Sequence, residues 1–284
     1  MDVADLASKE ERLLELLRSY GRVAVAFSAG VDSTVVAAAA FRACGDRALA
    51  VTAVSPSLPS GELAEAQRLA ALIGIRHEIL RTDEFSNPDY VRNPFNRCYF
   101  CKSTLYQHVL ENASRWQVDA IVNGANLDDL GDYRPGMQAA TEFRVASPLV
   151  EAGFRKDDIR DLARKWDLPI WDKPASPCLS SRIAYGLEVT PERVRRVDDA
   201  EAFLRKLLSC NELRVRHEFN DLARIEVPLD VLPRLTAAAT RDAVVERLRS
   251  LGFKSVTVDL QGFRSGSFNQ LVGLDTRLGS SPPQ

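Results

Sequence analysis

Two short segments hold the residue types from which group-transfer chemistry is built. Ser28-Ala29-Gly30-Val31-Asp32-Ser33-Thr34 is a run of small residues carrying hydroxyls and one carboxylate. Between a strand and a helix, such a turn lets backbone N–H groups converge on an anion, and the helix N-terminus adds partial positive charge. Ser28, Ser33 and Thr34 are expected to donate hydroxyl hydrogen bonds to phosphate oxygens. Asp32 repels a bare phosphate, so it is expected to work with a Mg²⁺ ion lying between it and the phosphates. No G-x-x-x-x-G-K-[ST] occurs, which separates the chain from ordinary γ-phosphate hydrolysing enzymes. The second segment, Cys98-Tyr99-Phe100-Cys101, follows Asn93-Pro94 and precedes a helical stretch. Both thiols are therefore expected at or near a helix N-terminus, where thiolate is favoured. Cys178 lies in Ser176-Pro177-Cys178-Leu179-Ser180-Ser181-Arg182, a loop with hydroxyls and a nearby cation.

On spacing alone, C-x-x-C is a redox pair, half a zinc site or a coincidence. Joined to Cys178 it gives three thiolates with no obvious fourth ligand, and His77, His108 and His217 show no zinc-like spacing to them. A four-iron cluster held by three cysteines leaves one iron open to an exogenous ligand, which suits sulfur chemistry. Cys44, at the end of an alanine-rich helical segment, reads as a packing residue. Cys210 carries no motif.

The elements that must position these residues alternate. Arg22–Phe27 (RVAVAF) is a nearly continuous apolar run, as in a strand buried on both faces. An amphipathic helix over 9–20 precedes it, and a helix to about Arg42 follows the small-residue turn. Further strands are predicted over 49–54, 77–80 and 119–122, with helices over 61–73 and 100–116. This order predicts an α/β fold with a Rossmann-like parallel sheet covered on both faces. Ligands of such sheets bind outside the carboxyl ends of the strands, where loops 28–34, 55–60 and 123–136 fall. The character changes after Gly186. Thr190-Pro191 opens a helix to about Leu208, followed by antiparallel strands over 212–218 and 223–227, a helix over 240–251 and a strand over 255–260. These predict a smaller C-terminal α+β domain over 187–277 beside a first domain over 1–186. The tail over 278–284 is expected to be disordered.

With 284 residues, two domains are the natural expectation. Thirty-seven Lys+Arg against 39 Asp+Glu leave a formal charge of -2, which argues against a nucleic-acid-wrapping surface. No apolar run reaches membrane-spanning length. Met-Asp-Val-Ala-Asp-Leu lacks the charge pattern of a signal peptide, so a cytoplasmic location is expected. Thiols stay reduced there, and the odd count of 5 cysteines is not read as a disulfide framework.

SAGVDS resembles the PP-loop, S-G-G-x-D-S, of the ATP pyrophosphatases, which cleave ATP between the α and β phosphates to form adenylates. Ala29 stands where that loop has its middle glycine; if the position needs a positive φ, alanine is strained by about 1 kcal/mol. Other segments extend the likeness: NRCYFCK (Asn96–Lys102), NGANLDDLGDYRPG (Asn123–Gly136), WDKPASPCLSSRIAYG (Trp171–Gly186), LRVRHE (Leu213–Glu218) and GFRSGSFN (Gly262–Asn269). Spread over nearly the whole chain, they are similar to the LarE-type ATP-dependent sulfur transferases of nickel-pincer nucleotide synthesis, in the three-cysteine form.

The resemblance implies that the carboxylates of pyridinium-3,5-biscarboxylic acid mononucleotide are adenylated and converted to thiocarboxylates, with ATP and Mg²⁺. It implies ATP contacts from Ser28, Ala29, Gly30, Val31, Asp32, Ser33, Thr34, Ser55, Gly124 and Arg134, and catalytic roles for Cys178, Asp32 and Lys102. Lys173 is a further candidate beside Lys102 for charge near the α-phosphate. Asp32 and Asp128 are the candidate Mg²⁺ ligands. Ser181, Arg182, Arg214, Arg216 and Arg264 are the candidates for the substrate's phosphate. The family delivers sulfur in two ways. One sacrifices the cysteine at position 178, leaving dehydroalanine; the other uses a [4Fe–4S] cluster on Cys98, Cys101 and Cys178, fed by inorganic sulfide or another sulfur donor. The full trio favours the cluster. Family members also assemble as homo-oligomers. Competing readings are an amidotransferase of the GMP or NAD synthetase kind, a tRNA-thiolating enzyme, and a nucleotide- or cluster-sensing protein. Asp128 and Asp129 also read as helix-start residues facing solvent, and Arg214 and Arg216 as an exposed charged strand.

Overall fold

A computed structural model describes residues 3–131, 135–174 and 176–264. Arg134, Ala175 and the tail over 278–284 lie outside the described residues.

The first strand, β1 (Val23–Ala26), follows helix α1 (Val3–Ser19) and runs into α2 (Val31–Cys44). β2 (Ala48–Val54), α3 (Glu62–Ile73), β3 (Arg76–Arg81), the short α4 (Pro88–Val91), α5 (Arg97–Trp116) and β4 (Ala120–Val122) continue the alternation. All four strands are parallel, in the order β3-β2-β1-β4. The strands alternate between two apolar layers. Val23 and Val25 pack with α2, while Ala24 packs with Leu105, Tyr106 and Val109 of α5. α2 is apolar nearly all round, and Val35 to Ala40 are at most 3% exposed, as befits a helix covered on every side. Leu13 and Leu17 of α1 are fully buried in the same layer, each worth roughly 1.5–3 kcal/mol of transfer free energy.

The strand order reverses between β1 and β4. Loops leaving their carboxyl ends therefore diverge around a crevice, the place where such sheets bind ligands. After β4 come α6 (Pro135–Glu142), α7 (Pro148–Glu151) and α8 (Lys156–Lys165). None of these three is predicted from the sequence; α6 and α7 are short, whereas α8 places Ile159, Leu162 and Ala163 on one buried face. α5 begins at Arg97, three residues before the predicted start, so Cys98 and Cys101 both lie inside its first turns.

The contacts divide the chain into two compact units between Ser176 and Pro177, with Arg92–Phe95 joining the second. That differs from a boundary after Gly186. Asn93, in a left-handed conformation with φ 56°, donates through Nδ2 to the carbonyls of Ile183, Ala184 and Leu187. An isolated parallel bridge joins Ile183 to His217. The Cys178 segment therefore travels with the second unit. There α9 (Pro191–Leu208) starts on a Thr190 cap that accepts from the Arg193 N–H. β5 (Arg214–Glu218) pairs antiparallel with β6 (Leu222–Glu226), which pairs parallel with β7 (Ser255–Val258). α10 (Leu232–Thr236) and α11 (Ala238–Ser250) lie between β6 and β7 in the chain. Among the described residues, no helix is long and apolar enough to cross a membrane.

Candidate functional site

The loop between β1 and α2 takes its shape from its own hydroxyls. Ser33 Oγ and Thr34 Oγ1 both donate to the Gly30 carbonyl, at 3.1 and 2.8 Å, and Ser28 Oγ lies 3.1 Å from Ser33 Oγ. Thr34 is fully buried. Its hydroxyl shapes the first helical turn rather than reaching outward as expected. Ala29 adopts φ 57° and is fully buried, so the position does demand the left-handed conformation in which alanine is strained by about 1 kcal/mol. The first-turn N–H groups of α2 have no acceptor within the helix, which leaves them for an anion. Gly124, just after β4, packs directly on this turn: a Cβ there would meet Ser33 N at 2.8 Å. The glycine is needed for that approach. Ser55, at the end of β2, donates to Glu84 Oε1 at 2.5 Å, and Glu84 is buried.

Cations from α8 and the following loop close on the turn. Lys156 Nζ lies 2.6 Å from both carboxylate oxygens of Asp32. Burial pushes the Asp32 carboxyl upward and Lys156 works against it. The Lys156 N–H and Arg155 Nη1 donate to the two oxygens of Asp128, at 2.8 and 2.7 Å. These bonds, the backbone N–H first, hold the Asp128 carboxyl below its usual range. Asp128 thus anchors the start of α8. Arg160, one turn on, donates to the carbonyls of Trp171 and Lys173. Lys173 Nζ in turn reaches the Ala29 carbonyl at 3.3 Å and Glu62 at 2.9 Å.

Cys98 and Cys101 are one turn apart on α5, so they share a helix face; Cys98 is exposed and Cys101 half-buried. None of the 5 cysteines forms a disulfide. Lys102 lies on the same helix, with its Nζ 6.0 Å from the Tyr106 ring centroid. Among the described residues, no three His, Cys, Asp or Glu side chains converge as a metal-binding group.

In the second unit, Cys178 caps a short turn over Leu179–Arg182, and its carbonyl accepts from Ser181 Oγ at 2.7 Å and Arg182 Nη1 at 3.0 Å. Arg182 is paired through Nε with the fully buried Glu201. Arg216 forks onto Glu226, with Nε and Nη2 each at 3.0 Å, while Nη1 donates to the Ser181 carbonyl. The reading of this strand as an exposed charged surface does not hold, since Arg214 is 5% and Arg216 2% exposed. Arg214 is the exception to the pairing. Its guanidinium lies 4.7 Å from the Phe263 ring, makes one long bond to the Arg264 carbonyl at 3.4 Å, and pairs with no carboxylate among the described residues. Burial, with Arg216 and Arg182 nearby, pushes it down to about 10.

Comparison with known proteins decides the family. No family model matches the chain. An uncharacterized protein of Synechocystis is 45% identical over 94% of this chain and 99% of its own length. The pyridinium-3,5-bisthiocarboxylic acid mononucleotide synthase of Lactiplantibacillus plantarum is 37% identical, covering 95% of this chain and 97% of that protein. The chain belongs to this synthase family. A more distant likeness, 27% identical over 64% of this chain, is to the GMP synthase of Aeropyrum pernix, of which it covers 38%. That likeness agrees with the parallel α/β sheet.

Within the synthase family's fold, the structure brings Ser28, Ala29, Gly30, Val31, Asp32, Ser33, Thr34 and Gly124 into one turn, with Lys173 bonded to it. In the second unit it brings Cys178, Ser181, Arg182 and Arg216 into one network. Lys156, Arg160, Glu84, Glu201 and Glu226 are not found from the sequence. The i, i+4 spacing of Lys156 and Arg160 at a helix start was the available signal for the first two. Glu84 carries none, its partner Ser55 lying 29 positions away, and the Arg182 and Arg216 partners of Glu201 and Glu226 lie 19 and 10 positions away.

Proposed function

We propose that this chain uses ATP to convert the carboxylates of pyridinium-3,5-biscarboxylic acid mononucleotide into thiocarboxylates. A carboxylate oxygen attacks the α-phosphorus of ATP and pyrophosphate leaves; a sulfur nucleophile then attacks the acyl carbon and AMP leaves. The nucleotide chemistry belongs to the first unit. The α2 N–H groups and Ser28 hold the leaving pyrophosphate, and Lys102 and Lys173 offset charge near the α-phosphate. Asp32 fits a divalent ion, since its carboxylate already carries a cation across both oxygens; bound there, Mg²⁺ supplies charge stabilisation of the phosphates. Arg134 and Ser55 complete the nucleotide contacts.

Sulfur and the substrate's phosphate belong to the second unit. The observation that supports this is Arg214, a buried guanidinium paired with no carboxylate among the described residues, beside the arginine network that fixes the Cys178 turn. Arg182 and Arg216 are already engaged and hold that turn. Arg214, with Ser181 and Arg264, takes the phosphate through charge-assisted hydrogen bonds. An amidotransferase using ammonia would share the adenylation chemistry but has no need for the three thiols.

For sulfur delivery we favour the cluster. What supports it is the sequence: Cys98, Cys101 and Cys178 are the three thiols that would hold it, although no such group converges among the described residues. Such a cluster, when bound, supplies an iron on which sulfide is carried to the substrate.

The test is the reaction itself, with AMP, pyrophosphate and thiocarboxylate followed together. Release of AMP and pyrophosphate without sulfur incorporation sinks the sulfur-transfer reading. Mass spectrometry of Cys178 then separates the two deliveries: loss of roughly 34 Da, as H₂S, marks sacrifice, and an intact thiol after many turnovers supports the cluster. Cys98→Ala abolishes cluster-dependent turnover and leaves the sacrificial reaction intact.

A further inference from the structure

We propose that Lys156 is the resident counter-ion of the nucleotide turn: it sits on Asp32 until a polyphosphate draws it away, so divalent-ion binding at Asp32 follows nucleotide binding. The inference rests on the nucleotide reading above. A single ammonium 2.6 Å from both Asp32 oxygens occupies the face through which a carboxylate takes a divalent ion. Nothing can bind there bidentately while it stays.

The lysine is built to leave. Its backbone is pinned, because its N–H donates to Asp128 and the neighbouring Arg155 N–H donates to Asp158, each at 2.8 Å. Its side chain is not pinned in the same way. The ammonium bonds only to Asp32 among the described residues, the stem is flexible, and 38% of the side chain is exposed. The head group can move without α8 moving. Arg160, one turn along the same helix, is tied to two carbonyls and cannot take this part.

Charge gives the order. Without nucleotide, one ammonium balances one half-buried carboxylate. A polyphosphate brought onto the turn would face Asp32 with like charge. Transfer of the ammonium to the phosphates, with a divalent cation between phosphates and Asp32, leaves each anion with a cation. The alternative is a permanent pair that only shapes the turn.

Calorimetry on the full chain separates the two, using Mn²⁺ as the divalent probe and an ATP analogue with a methylene between the α and β phosphorus atoms. In the unmodified protein, Mn²⁺ is expected to bind at least about tenfold more tightly once the analogue is present. Lys156→Met should strengthen binding of Mn²⁺ alone by roughly tenfold and weaken the analogue by roughly ten- to a hundredfold. Lys156→Arg should restore analogue binding, and adding Asp32→Asn to Lys156→Met should remove the gained Mn²⁺ site. Mn²⁺ that binds the unmodified protein equally well with and without analogue overturns the ordering, whether or not any variant folds. Analogue and Mn²⁺ affinities unchanged in a folded Lys156→Met overturn it too, leaving a structural pair. If the unmodified protein binds no analogue at all, the nucleotide reading falls and takes this inference with it.

Discussion

Gly124→Ala is a one-methyl test of whether the nucleotide turn is built by the strand order. A Cβ at Gly124 would lie 2.8 Å from Ser33 N, 3.1 Å from Asp32 C and 3.2 Å from Asp32 Cβ, where ordinary contact begins near 3.4 Å. Two of the three opposing atoms are backbone, so no side chain can rotate out of the way. The β4 side is held as well, by Asn123 N–H donating to Ala146 O at 3.0 Å and Ala125 N–H to Asn123 Oδ1 at 2.9 Å. The turn must therefore give, at about 1–3 kcal/mol for an overpacked contact. Ser33 N–H is among the first-turn groups proposed to hold the polyphosphate, so its displacement should weaken binding of a non-cleavable ATP analogue by on the order of tenfold or more. The melting temperature should fall by about 2–10 °C for a chain of this size. Gly131→Ala is the matched control, since nothing among the described residues lies within 4 Å of its Cβ, and both properties should stay unchanged. Unaltered analogue affinity in a Gly124→Ala protein that still shows the thermal loss would refute the assignment of this turn to nucleotide.

Three further outcomes follow from the second unit. Glu226→Gln strips the charge from a carboxylate that holds Arg216 and Arg224, and chemical denaturation should show a loss of about 3–5 kcal/mol. Arg214→Met removes a buried cation that has no carboxylate partner among the described residues. It should keep or raise the melting temperature by about 2–4 °C while weakening mononucleotide binding at least tenfold, a split that a merely structural arginine would not give. His217 is fully buried against Phe253, and burial, then Arg196, pushes it down to about 4. Its folded pKa lies below the unfolded one, so the unfolded chain takes up the proton first. Stability should therefore fall by about 1–3 kcal/mol as pH drops from about 6.5 towards 4, and His217→Phe should flatten that slope in denaturant melts. Asp221, held down to about 2 chiefly by Lys254, loses its contribution only below that window.

What could be read in the sequence and what could not divide by the range of the forces involved. β1 shows as an apolar run because both of its faces meet apolar layers, and the Ser28–Thr34 turn shows through its run of small and hydroxyl residues. Both are local. α9 announces its own start through Thr190 and Pro191. The roles of the charged residues are not local. Arg214 and Arg216 alternate on one strand and look alike, yet Arg216 forks onto Glu226 across the hairpin and Arg214 pairs with no carboxylate among the described residues. The β5–β6 register sets Arg214 opposite Glu226 and Arg216 opposite Arg224, but Glu226 takes Arg216 diagonally across the hairpin, so the folded side-chain geometry decides which side chain meets which. The same holds for Asp32. Its carboxylate suggested a metal, and the residue on it proves to be a lysine 124 positions away. A charge in a sequence states what it will attract, and the fold alone states what arrives first. For Asp32 the first arrival is an ammonium, which makes the binding order, rather than the binding residues, the quantity most worth measuring.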